Sequence, residues 1–175
     1  MTRTQHVRRS QTATPDTIAR NGTEQDASPF AQIVAYFERE HKGRFLLDAE
    51  QQMIQWVVAG GYGTYTLIVR WEEQANRMSI RVPGITTVPK DKQVPAAVLS
   101  TMINWKLAIG TFQLDFSDGE LAFRNNLTVS DGKLGQKQVK VYCTGSTVAV
   151  DHFMPAFQRL FWTDASPEEA LASLE

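Results

Sequence analysis

The chain has 175 residues, 42% of them hydrophobic and 21% charged, with a formal net charge of -1 and a pI near 6.3. That composition suits one globular domain with a tail and lacks the basic excess of a nucleic-acid binder, which argues against a nucleic-acid partner. No apolar run approaches the ~20 residues a membrane span needs, and the single cysteine allows no internal disulfide, so the expectation is a cytoplasmic protein.

Residues 1–27 are polar, with Arg3, Arg8, Arg9 and Arg20 largely cancelled by Asp16, Glu24 and Asp26. Such a segment cannot bury enough surface to offset its ordering entropy, which predicts a disordered tail ahead of a domain at 28–175. Arg8-Arg9 is followed by no apolar stretch, so it is not read as an export signal.

Order is predicted to begin at "SPFAQIVAYFEREH", with Ser28 as helix cap, Pro29 in the first turn, and Phe30, Ile33, Val34 and Phe37 on one face. Three strands follow: "QMIQWVVAG", "YTLIVRW" and "NRMSIRVPG". Joining the last two through "EEQA" puts Val69 opposite Met78 and Leu67 opposite Ile80, so the apolar faces agree. The same register sets Arg70 opposite Arg77. It also gathers Arg70, Arg77 and Arg81 on the other face, around Ile68 and Ser79.

A second helix is expected over "PAAVLSTMINWKLAIG", with Val98, Leu99, Met102, Ile103 and Leu107 inward. "DFSDGELAFRNNL" has the look of a cation loop. Counted from Asp115, however, Gly119 is fifth and Asn126 twelfth, which fails the EF-hand pattern. It reads as a hairpin turning at Asp118-Gly119, with Leu114 facing Phe123 and Phe116 facing Leu121. The final helical stretch, "QKQVKVYCTGSTVAVDHFMPAFQRLFW", contains Gly145 and Pro155, and is expected to kink or split at the proline. Cys143 reads as a small buried apolar residue within it. "DASPEEALASLE" reads as a short capped turn or helix of low stability. The predicted order is α-β-β-β-α-β-β-α, an α+β domain with an antiparallel sheet and packed helices, because its strand connections are too short for parallel crossovers.

No catalytic or metal-binding set emerges. His6, His41 and His152 lack zinc spacing, no G-x-S-x-G elbow occurs, and "AGGYG" lacks the Lys-Ser/Thr ending of a phosphate loop. The expectation is a non-enzyme with no cofactor. Trp56, Trp71, Trp105 and Trp162 are assigned to the core. Phe161 and Trp162 cannot both point inward, and Trp162 is the one given to a partner. Arg70, Arg77, Arg81 and Ile68 complete the predicted partner-binding set, with an acidic or protein partner docking on that face.

From about Phe30 to Leu171 the chain resembles the YbjN family, bacterial sensory transduction regulators whose fold is similar to that of type III secretion chaperones. The stretches that carry the resemblance are "VLSTMINWKLAIGTFQLDFSDGELAFRNNL", "VDHFMPAFQRLFW" and "SPEEAL". The resemblance implies a chaperone-like fold, a homodimer and capture of a protein segment. The function expected is thus a chaperone-like or regulatory protein-interaction domain, the alternative being a small-molecule-binding sensor domain in a signalling pathway.

Overall fold

The computed structural model describes residues 27–174; the predicted tail at 1–27 lies outside them except for Ala27. Helix α1 (Pro29–His41) starts where the sequence places it: the Ser28 hydroxyl accepts the Ala31 N–H at 3.2 Å, and Pro29 occupies a position that needs no donor. Ile33, Tyr36 and Phe37 form its buried stripe. Strands β1 (Phe45–Asp48), β2 (Met53–Ala59), β3 (Thr64–Glu72) and β4 (Arg77–Thr87) then run as a meander. Helix α2 (Gln93–Lys106) leads to the hairpin β5 (Thr111–Leu114) and β6 (Glu120–Thr128), followed by α3 (Gln136–Trp162) and α4 (Pro167–Ala172).

The result is an α+β domain: one antiparallel sheet in the order β1-β2-β3-β4-β6-β5, with the helices packed against it. Leu67, Val69, Trp71, Met78, Ile80, Val82, Leu121 and Phe123 point from the sheet into the core, where Phe153, Phe157 and Leu160 of α3 meet them. Burial of these apolar side chains is the main stabilising term, at roughly 1.5–3 kcal/mol for each fully buried large one. One polar pair lies inside: Asn125 donates to the Ser146 hydroxyl at 3.2 Å, and Ser146 donates to the Tyr142 carbonyl at 2.7 Å.

The expected order lacks β1. "FLLD" is only four residues long and follows a helix stop without alternation, so it carries little strand signal. The β3–β4 register is also different. Val69 faces Ile80, Trp71 faces Met78 and Arg70 faces Ser79. The four-residue bend expected at 72–75 lies one residue later, as a 3-10 turn at Glu73–Ala75 and a left-handed Asn76 at φ 44°. Because the shift is by two positions, each side chain keeps its face.

The β5–β6 hairpin differs in the same way, with Leu114 opposite Leu121 and Phe112 opposite Phe123. Its loop is held by the Asp115 carboxylate, which accepts the Ser117 N–H at 2.8 Å and the Ser117 hydroxyl at 2.6 Å, and Phe116 turns out to solvent.

Helix α2 buries Leu99 and Ile103 as expected, with Met102 and Leu107 partly buried against the core, but Val98 is exposed and Ala96 and Ser100 are buried instead. Helix α3 runs unbroken through Pro155 instead of splitting there. The proline has no N–H for the Asp151 carbonyl, so the helix gives up one ladder bond and the packing of Phe153, Met154 and Phe157 holds the rest. Gly145 makes room for Ile109: a Cβ there would lie 2.8 Å from the Ile109 Cδ1. Cys143 is buried on α3, and burial pushes its thiol up to about 12.

Candidate functional site: the open face of the sheet

Every second residue of the central strands points away from the helices, and no described element covers that face. One row across it reads Leu46, Gln55, Ile68, Arg81, Arg124 and Thr111, each opposite the next across neighbouring strands. The adjacent row holds Asp48, Met53, Arg70, Ser79 and Asn126, and beyond it lie Glu72, Arg77 and Thr128. Strand alternation puts Arg70, Arg77, Arg81 and Ile68 together here, as the sequence predicts.

Their states differ. Arg77 pairs with Glu72, its direct cross-strand neighbour, and its Nε is buried without a hydrogen-bond acceptor. The Arg77 hydrogen bond, with the Arg124 charge assisting, holds the Glu72 carboxyl below its ordinary range despite burial. Arg77 is therefore part of the sheet's own bonding. The expected Arg70–Arg77 opposition is absent, because the two-residue shift replaces it with Arg77–Glu72.

Arg81 donates to Glu120 at 2.6 Å, and the other Glu120 oxygen accepts the Gly84 N–H at 2.9 Å. Directly opposite Arg81 stands Arg124. Like charges in that position destabilise a sheet. Among the described residues neither Arg124 nor Arg70 forms an ion pair with a carboxylate; Arg70 reaches only the Met53 sulfur at 3.6 Å. The face thus keeps two exposed guanidinium groups beside a third that is only partly neutralised. Sequence reasoning missed Arg124, because the β4–β6 pairing that sets it against Arg81 spans more than forty residues of chain.

Trp162 does not join this face. It sits at the C-terminal end of α3, 77% exposed, while Phe161 packs on the core. Trp162 lines a separate cleft of about 280 Å³ with Tyr62, Tyr65, Ile85, Met154 and Phe161. Trp105 is 92% exposed on α2, so the assignment of both tryptophans to the core is wrong. Trp71 is buried, and Trp56 is half-buried against Phe37 and His41.

The loop of that cleft is fixed from α3. Asp151 accepts the N–H groups of Gly61 and Tyr62, both at 2.9 Å, and the Tyr65 hydroxyl at 3.0 Å. Partial burial works to raise the Asp151 carboxyl, but these three donors outweigh it and leave it below the usual carboxylate value. Burial and the Asp151 charge raise the Tyr65 phenol. Gly60 is required beside them, because a Cβ there would overlap the Asp151 carboxylate. "AGGYG" is thus a strand-to-strand turn, as expected, whose amides are already occupied.

His41 and His152 lie on different elements. His41 stacks on Trp56 with its pKa lowered, mainly by burial. Among the described residues no three His, Cys, Asp or Glu side chains converge as a metal site would require, and no helix is long and apolar enough to cross a membrane. No family model and no curated protein matches the chain.

Proposed function

We propose that this chain is a non-enzymatic protein-interaction domain, chaperone-like or regulatory, that takes an acidic, extended segment of a partner protein on its open sheet face. The carrying observation is the Arg81–Arg124 opposition with Arg70 beside it. A like-charge pair weakens the free sheet and becomes favourable once carboxylates lie between the guanidinium groups, which present paired donors in a fixed fork. Ile68, beside Arg70 and opposite Arg81, and Met53, on the other side of Arg70, supply apolar contact for alternate side chains of an extended chain. The resemblance to the YbjN family and to secretion chaperones supports the same function.

The test is affinity purification from the host with the intact chain and with an Arg70→Glu/Arg124→Glu variant. Arg77 is left alone because it is paired. The expected result is loss of one specific acidic partner from the variant, while the wild type retains it and holds it more tightly as salt is lowered. The same partners on both baits would count against the open face. A small-molecule sensor is the second function considered, attached to the cleft at Trp162, where aromatic side chains surround a hollow near the small end of the ligand range, ~300 Å³. A ligand screen in which hits lose binding with Trp162→Ala and keep it with the arginine variant would favour the sensor.

A further inference from the structure

The free edge of the sheet at β1 carries a pattern that the arginine face does not explain. β1 is the outermost strand, and among the described residues no strand, helix or side chain caps its outer backbone groups. Unprotected edges of this kind template pairing with another strand, and proteins usually blunt them with charge or cover. Here the edge is apolar on both sides: Leu46, on the open face, is 70% exposed, and Leu47, on the helix side, is 46% exposed.

The charges at its two ends have opposite sign. Arg44 precedes Phe45-Leu46-Leu47, Asp48 follows, and both are exposed. Beyond them Lys42 lies on the basic side and Glu50 on the acidic side. The stretch is therefore its own complement when reversed. Antiparallel pairing of two copies about Leu46 sets Leu46 on Leu46, Phe45 on Leu47, and Arg44 on Asp48 twice over. A two-fold axis through Leu46 and perpendicular to the sheet keeps both open faces on one side, so residues that meet share a face, as antiparallel pairing requires.

We propose that β1 is a self-association edge, at which two copies of this chain pair antiparallel about Leu46 and extend one sheet through both. The occupant is a second copy because the reversal matches charge to charge: one Asp48 oxygen accepts the Gln51 N–H at 2.9 Å within its own turn and leaves the other for Arg44 of the second copy, and opposite charges directly across a strand pair stabilise it. A four-residue strand buries little area, so the dimer is weak and concentration-dependent. Pairing at β1 does not depend on whether the arginine face takes an acidic segment. If both hold, the dimer presents two such faces side by side.

The test is sedimentation equilibrium of the full chain up to about 1 mM, where a contact of this size is readable. Wild type is expected to dimerise reversibly. Arg44→Asp puts Asp against Asp twice, and Asp48→Arg puts Arg against Arg twice, so each alone should weaken association on the order of a hundredfold. Mixed together, the two variants set both aspartates of one copy against both arginines of the other, and should form a heterodimer. Leu46→Lys, at an exposed position that leaves the fold intact by circular dichroism, should also give monomer. A wild type that stays monomeric throughout overturns the proposal. So does association that survives all three changes, or variants that fail to recover on mixing. Association lost instead with Trp105→Ala would place the contact on α2 and exclude β1.

Discussion

The two edges of the sheet are finished differently. At β5 the Asn104 side chain lies along the outer backbone. Its amide donates to the Phe112 carbonyl at 3.0 Å and its oxygen accepts the Phe112 N–H at 2.7 Å. One side chain from α2 therefore stands in for a neighbouring strand and closes the edge. At β1 no such group is present among the described residues, and Leu46 and Leu47 face solvent. The two faces divide in the same way: one lies under helices, and the other carries Arg70, Arg81 and Arg124 in the open. The two proposals rest on this contrast: one edge and one face are sealed, while the other edge and face are left open with specific chemistry.

The largest expected effect comes from opening the sealed edge. Asn104→Leu leaves the Phe112 N–H and carbonyl half-buried without partners, which should cost about 2–3 kcal/mol in urea unfolding. It should also create new association through β5. Unchanged stability together with unchanged association would show that Asn104 is not what closes that edge.

Next comes the support of the open edge. β1 rests on β2, and the β2–β3 turn is tied to α3 by Asp151. Asp151→Ala removes an acceptor of three hydrogen bonds, and since the group is partly exposed the loss should be about 1–2 kcal/mol. Amide exchange should quicken at Gly61 and Tyr62 while β5 is unaffected. A uniform change across both edges would break the distinction.

Acid sharpens it further. Glu72 and Asp151 both have folded pKa values lowered from ordinary values of 4.5 and 3.8, so the unfolded chain binds more protons than the folded one in this range. Their contribution is complete above those values and fades as pH falls through the lower folded ones. Stability should therefore drop below pH ~4, with Asp151→Ala flattening part of the slope. A slope identical in the variant would remove the Asp151 tie from the account. The smallest effect is expected at Leu46→Lys: less than about 0.5 kcal/mol on stability, because the side chain is already in water. A large loss there would mean β1 is held by contacts other than β2.

What the sequence made legible was parity. Alternation in "YTLIVRW" and "NRMSIRVPG" placed Arg70, Arg77 and Arg81 on the face away from the core, and that survived a register two residues off. Turn position was not legible, because it depends on a left-handed Asn76 and on Asp115 bonding Ser117, choices the strands do not encode. Long-range partners were hidden for a related reason. Arg124 against Arg81 and Asp151 against the Gly61 amide arise only when distant segments meet. Size misled as well. Trp105 is assigned to the core yet is exposed, whereas Ala96 and Ser100, too small to stand out in the apolar stripe, are buried on α2. β1 was missed because a short apolar stretch between a helix stop and a turn has no period to read, although its charges already formed the complement on which the pairing proposal rests.

The most direct measurement is residue-resolved hydrogen exchange of the intact chain at low and high protein concentration. Amides of Phe45, Leu46 and Leu47 whose N–H points outward are expected to gain protection as concentration rises, while the Asn104-capped Phe112 amide is protected equally at both. Protection of β1 that does not change with concentration, or that rises equally at β5, would contradict it.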